Sequence, residues 1–403
     1  MKRAFTNIYE LAKDRPLRSV DRHEVNDFYG HAHWLKRYAG RPLQTPSRLI
    51  VEHGAFAWDW TWDVDTKATE PVMLIFSDIR YQTILSQSDK IPFAIGPLIH
   101  YTPQALDDAQ FQSEKKALGK NLLAFPPHST HHIRVDLNIH DFCEALNEYQ
   151  DQYDTIRICL YWKDVLNGSA ELFEKAGFEC VTAGHIYDPL FLPRLKSILS
   201  LSDVTTSSCF GGHLGCSIYL DRPHFFLKGI TNAEVSDADV LSRDSIWGSA
   251  VFNAYMEQCL DLFSEPSATI SQEQRDVVGR HWGFHNVRSP DQIALLFTFA
   301  ERAEFLCGMT ELSPIGRAVL TLILMATNTS FPTVITLANL LGSLPIGADY
   351  VTLIQAFKNY LKGQKKSALR QLIDLSHQSS QEIAILSSQI FNGIEKNSYA
   401  GIC

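Results

Sequence analysis

The sequence predicts an α/β protein with two Rossmann-type lobes in series, followed by a helical region. Short runs that are apolar throughout alternate with segments of helical periodicity, as in parallel sheets whose strands are covered on both faces. From about Ser289 onward strand signals vanish and helical patterns alone continue. At 403 residues the chain also exceeds one ordinary domain. The expected division is a first lobe over 1–117, a second over 118–288 and helices over 289–403.

In the first lobe, SRLIVEHG (47–54), PVMLIFSD (71–78) and IPFAIGP (91–97) read as buried strands that end in polar or glycine residues. Gln104 to Lys120, charged and helix-permissive, reads as a connector. Five apolar runs then follow: NLLAFPP (121–127), IRICLYW (156–162), FECVTAG (178–184), SDVTTSS (202–208) and PHFFLKG (223–229). Between them HDFCEALNEYQDQY, GSAELFEKAG, PLFLPRLKSILSL and GGHLGCSIYLD space their apolar residues mainly by three and four, as helices do. Ser289-Pro290-Asp291-Gln292 is a helix start ahead of IALLFTFAERAEFL, and the helical patterns after it show no repeat period.

The net charge of -9 argues against duplex nucleic acid, which needs a basic footprint. The opening MKRAFTNIYELAKDRP has no apolar run behind its charges, so no secretory signal is expected. The most apolar stretch, Ala318 to Ala326, falls far short of the roughly 20 residues that span a bilayer. Eight cysteines form no CxxC pair, and several lie within apolar runs, which reads as buried free thiols in a cytoplasmic protein.

Open parallel sheets bind ligands outside the carboxyl ends of their strands. Those ends carry Pro127-His128-Ser129-Thr130-His131-His132, then Tyr161-Trp162-Lys163-Asp164, then Gly184-His185-Ile186-Tyr187-Asp188. The fourth and fifth carry Ser207-Ser208-Cys209-Phe210-Gly211-Gly212-His213 and Lys228-Gly229-Ile230-Thr231-Asn232. In the fourth, glycines lead into a helix over Leu214 to Leu220, where small residues and free N–H groups suit a phosphate. The spacing is neither GxGxxG nor GxxxxGKS, which lowers the weight of dehydrogenases and P-loop ATPases. His128, His131 and His132 lack an HExxH or paired CxxC partner, so hydrogen bonding to a ligand is preferred over a metal site. Glu52-His53 and Asp78, at the strand ends of the first lobe, are candidates for acceptor binding or acid–base work.

NLLAFPPHSTHHI, LYWKD, VTAGHIYDPLFLPRLKSILSLSD and GGHLGCSIYLDRPHFFLKG together resemble the retaining β-Kdo glycosyltransferases of bacterial polysaccharide assembly. The likeness is strongest to the N-terminal β-Kdo transferase domain of a multidomain O-antigen enzyme. It covers the middle of the chain well. The resemblance implies a GT-B architecture, with the 1–117 lobe on the acceptor side and the 118–288 lobe on the nucleotide-sugar side. It implies transfer of β-Kdo from CMP-β-Kdo to a lipopolysaccharide O-antigen or capsule glycan by double displacement. No metal and no cofactor beyond the donor substrate are expected. The enzyme would work in the cytoplasm at the inner face of the inner membrane, peripherally attached, and would carry further domains. His128, Ser129, Thr130, Lys163, His185, Ser207, Ser208, Gly211, Gly212, His213 and Lys228 become donor-site candidates, and Asn232, Glu52 and His53 catalytic ones.

One position departs from the family pattern. A carboxylate nucleophile is expected after the fifth strand, where this chain has Asn232. Two other readings stay open: a transferase or epimerase that uses a UDP- or GDP-sugar, and a catalytically dead glycan-binding scaffold.

Overall fold

The computed structural model describes residues 3–54, 59–128, 133–230, 232–236, 249–306, 312–326, 329–378 and 380–395. Among these, ten strands occur: β1 (Leu49–Val51), β2 (Val72–Ile75), β3 (Ile91–Ala94), β4 (Asn121–Phe125), β5 (Ile133–Leu137), β6 (Thr155–Cys159), β7 (Glu179–Val181), β8 (Val204–Ser207), β9 (His224–Phe226) and β10 (Asn232–Ser236). Every run read as a buried strand contains one. The α/β class with parallel sheets is therefore the observed class.

Chain contacts define two compact units. The first comprises Met1–Leu35, His53–Asp59 and Gly96–Val287. The second comprises Lys36–Glu52, Trp60–Ile95 and Arg288–Cys403. Neither unit is one continuous stretch, because the N-terminal segment packs with the middle of the chain and the helical region packs with β1–β3. A reading built on local periodicity has no access to such long-range partnerships.

In the first unit, β7-β6-β4-β8-β9 form a parallel sheet. Counted within the sheet this is the order 3-2-1-4-5 of doubly wound folds, and it reverses between β4 and β8. Leu122, Ala124, Ile158 and Phe225 from its strands join Phe142, Leu146 and Phe173 from its helices in one buried apolar cluster. Although β8 reads VTTS, it is fully buried, because its hydroxyls are satisfied by β9. Thr206 Oγ1 donates to Phe225 O at 2.9 Å, and Thr205 Oγ1 donates to Pro223 O at 3.2 Å. The helix after β8 spans Gly212–Tyr219 and so starts at the glycines themselves rather than at Leu214.

The pair β5 and β10 was not foreseen. These strands form an antiparallel ribbon, with Asn232 opposite Leu137 and Ser236 opposite Ile133. Leu137 and Ile230 pack against the apolar cluster, which puts Asn232 at the root of the ribbon, shortly after β9.

In the second unit, β1-β2-β3 form a parallel sheet. Pro92 is accommodated because β3 is an edge strand and needs no donor on its outer side. The helix Pro290–Ala303 begins as the sequence predicts, with a capping box between Ser289 and Gln292 and proline in the first turn. The helix Pro314–Met325 is almost wholly buried. No helix among the described residues is long and apolar enough to cross a membrane. The six cysteines described, including Cys143, Cys159 and Cys180, are free thiols.

Candidate functional site

The strand order puts the expected ligand crevice outside the carboxyl ends of β4 and β8, where the order reverses. Phe125 ends β4, and His213 lies in the first turn of the helix after β8. Their rings stack at 5.0 Å with 10° between planes. Burial pushes the His213 imidazole down to about 3, despite an opposing backbone hydrogen bond at Cys209. Its Nε2 is buried and has no hydrogen-bond partner among the described residues. A neutral ring with an unspent nitrogen can serve a ligand as donor or acceptor.

The glycines around it differ in kind. A Cβ on Gly211 would lie 2.9 Å from His213 Cε1, so this position must stay bare for the ring to sit where it does. Gly212 is exposed, and among the described residues a Cβ there would meet only Trp282, at 3.8 Å. Its bareness therefore serves the open side of the helix start, where backbone N–H groups lack partners in the helix. Gly215 is a packing glycine, because its Cβ would fall within the Trp282 indole.

Behind this start, His224 is held by two hydroxyls, Thr205 Oγ1 at 2.9 Å and Ser207 Oγ at 3.2 Å. Ser207 Oγ also donates to Cys209 O at 2.8 Å, so it braces the loop. Burial holds His224 well below its ordinary range. Ser208 is half-buried between this brace and the glycines.

A second group of rings comes from the ends of β4 and β6 and from the N-terminal segment. The His128 ring lies 4.9 Å from that of Tyr161, and the Tyr161 hydroxyl is 3.5 Å from that of Tyr29. Tyr29 stacks on His53 with ring centroids 5.8 Å apart and 9° between planes. Tyr29 adopts φ 58, and Gly30 follows at φ 78, where a Cβ would come within 2.6 Å of Pro189 O. His31 is buried next in the chain, its Nδ1 has no hydrogen-bond partner among the described residues, and burial with His53 nearby pushes it down to about 3. Tyr29 and His31 were missed in the sequence, where FYGH shows neither the turn nor its destination.

Lys163 reaches this edge with its ammonium 5.7 Å from the Trp162 ring, and burial lowers its affinity for the proton. His185 does different work. Its ring is buried 4.0 Å from Trp162, its Nδ1 accepts from Tyr187 N at 3.2 Å, and its Nε2 lies 3.3 Å from Asp14 Oδ1. Its backbone N donates to Leu11 O at 3.0 Å, so it ties down the N-terminal segment. Lys228 is exposed and ion-paired with Glu265. Ser129 and Thr130 lie outside the described residues, as do His131 and His132.

Glu52 and His53, neighbours in sequence, are divided between units. Glu52 is buried in the second unit, where its Oε1 accepts from Arg80 Nη2 at 2.6 Å and Nε at 3.2 Å. Burial raises its pKa, and Arg80 opposes that rise. His53 belongs to the first unit through Tyr29 and Phe28.

Among the described residues, His140, Asp141 and Glu144 form a cluster of metal-capable groups on the helix Ile139–Asn147. The imidazole is exposed and already lies 3.6 Å and 3.7 Å from the two carboxylates. No protein-family model matches the chain, and no curated protein matches it either.

Proposed function

We propose that this chain is a retaining glycosyltransferase of the GT-B type that moves β-Kdo from CMP-β-Kdo to a bacterial lipopolysaccharide O-antigen or capsule glycan. The observation that carries the proposal is the glycine-led helix start at the strand-order reversal, with His213 stacked on Phe125 behind it. That arrangement suits a phosphate on the bare backbone of Gly211 and Gly212. Lys163 adds a cation at the same sheet edge for the donor's carboxylate or phosphate.

In this reading residue 232 holds the nucleophile position. A carboxylate there attacks the anomeric carbon as CMP departs, and an acceptor hydroxyl then displaces the carboxylate, which restores the starting configuration. Asn232 lacks the negative charge this needs, so the chain binds donor and turns over slowly. Asn232 also favours the reading of a glycan-binding scaffold without catalysis. The enzyme would act in the cytoplasm at the inner membrane face, without metal.

Thermal-shift measurements with CMP, UMP, GMP and free Kdo test the proposal. Stabilisation by CMP and not by UMP or GMP is expected. Stabilisation by UMP or GMP alone replaces the donor with a UDP- or GDP-sugar, and no response to any nucleotide favours the scaffold.

A further inference from the structure

Opposite the edge that carries the candidate donor site, the same sheet has an open cavity of about 430 Å³ at its amino end. It is lined by Lys120, Asp203, Asp221, Arg222 and Arg275, with the segment 268–270. Lys120, Asp203 and Arg222 immediately precede or closely approach the starts of β4, β8 and β9, which are neighbours in the sheet. The topology therefore converges five charged side chains on one hollow.

The charges are not mutually cancelled. Asp203 is satisfied by Lys115 Nζ at 2.7 Å and by the backbone N of Asn121 at 2.8 Å. Asp221, in a left-handed conformation at φ 59 that aspartate tolerates, accepts from Arg275 at 2.7 Å. Arg222 instead spends its donors on carbonyls, with Nε on Leu220 O and Nη1 on Ser202 O, both at 3.1 Å. Those bonds orient the guanidinium through neutral carbonyls. Lys120 sits with its ammonium 4.7 Å from the Tyr153 ring. Among the described residues neither Lys120 nor Arg222 is ion-paired, while the partnered carboxylates and Thr269 offer hydrogen-bond acceptors at the rim of the hollow.

We propose that this hollow is a second ligand site, for a small phosphorylated polyol such as a sugar phosphate. The phosphate would lie between Lys120 and Arg222, and the hydroxyls would meet Asp203, Asp221 and Thr269. The volume is within the range of small-molecule pockets, about 300–1,000 Å³. The site is separate from the proposed donor site, because the two occupy opposite ends of parallel strands.

Amide resonances of the full chain, followed during titration with glucose 6-phosphate, inorganic phosphate and glucose, test the site. Glucose 6-phosphate should shift Lys120, Thr269 and Ile270, inorganic phosphate should do so more weakly, and glucose should not. Lys120→Glu, a change at an exposed side chain, should weaken the glucose 6-phosphate response about tenfold or more. Arg222→Gln should weaken it too, but Lys120→Glu decides if the arginine variant fails to fold. No shift at millimolar concentration, an equal response in Lys120→Glu, or shifts confined to Gly211 and Gly212 would overturn the proposal.

Discussion

His213 lies flat against Phe125, the last residue of β4, with ring centroids 5.0 Å apart. The stack joins the two strands between which the sheet order reverses and fixes the imidazole at the first turn of the glycine-led helix. Because Gly211 carries no side chain, nothing competes with the ring for that place.

Gly212→Val tests whether the helix start receives a phosphate. The protein itself has room for a Cβ at this exposed position, so folding should be little affected. A branched side chain would stand where the backbone meets the ligand. CMP affinity should fall at least about tenfold. A folded variant that binds CMP as tightly as the parent would remove Gly212 from the site.

The buried imidazoles predict an acid-sensitive first unit. His31 and His213 both titrate near 3 in the folded chain because burial disfavours their charged forms, against about 6.5 when unfolded. Between those values the unfolded state binds more protons, so stability is full above about 6.5 and falls as pH drops towards 3. Each group contributes a slope of up to about 1.4 kcal/mol per pH unit. Urea denaturation at pH 7.5, 6.5 and 5.5 should show the loss below 6.5 alone, and His213→Gln should reduce the slope by about one proton. A stability that is flat between pH 7.5 and 5.5 would contradict the assignment.

Much of this arrangement could be read in the sequence, because parallel strands are apolar throughout and end in polar loops. NLLAF, TIRIC and HFF carry that signal, and the glycines before His213 mark the helix start. What could not be read depends on distant partners. β5 and β10 read IRVDL and NAEVS, too polar for the all-apolar pattern of the parallel strands, and their pairing joins positions about 100 residues apart. Arg157 lies within an apolar run and is fully buried, none of its side-chain nitrogens has a hydrogen-bond partner among the described residues, and burial lowers it to about 10. Tyr29 reaches the sheet edge only through a left-handed turn closed against Pro189.

The Glu52–Arg80 pair predicts a stability role for Glu52. Both side chains are buried and share two short contacts. Removing one partner of such a pair strands a charge in the interior and costs about 3–5 kcal/mol. Arg80→Met should therefore lower stability by that order, and adding Glu52→Gln should restore part of it. If Arg80→Met and Glu52→Gln, each made alone, leave the denaturation midpoint unmoved, the pair has no stability role.

Asn232→Asp decides the chemistry. β10 opens at residue 232, whose backbone pairs with Leu137 beside the apolar cluster, a few residues past the carboxyl end of β9. Chain position therefore keeps it near the sheet edge where the donor is proposed to bind. An amide is a poor nucleophile and offers no charge to an oxocarbenium-like centre, whereas a carboxylate supplies both. If residue 232 is the nucleophile, the Asn232→Asp variant should transfer β-Kdo at least about a thousandfold faster, which corresponds to roughly 4 kcal/mol of barrier. CMP affinity should change little if the phosphate binds, as proposed, at Gly211 and Gly212. With donor alone, intact-protein mass spectrometry and peptide mapping should find a Kdo adduct at position 232 of the variant and none on the parent. Equal rates for the two proteins would make residue 232 a structural member of the ribbon, and an adduct on another carboxylate would relocate the nucleophile.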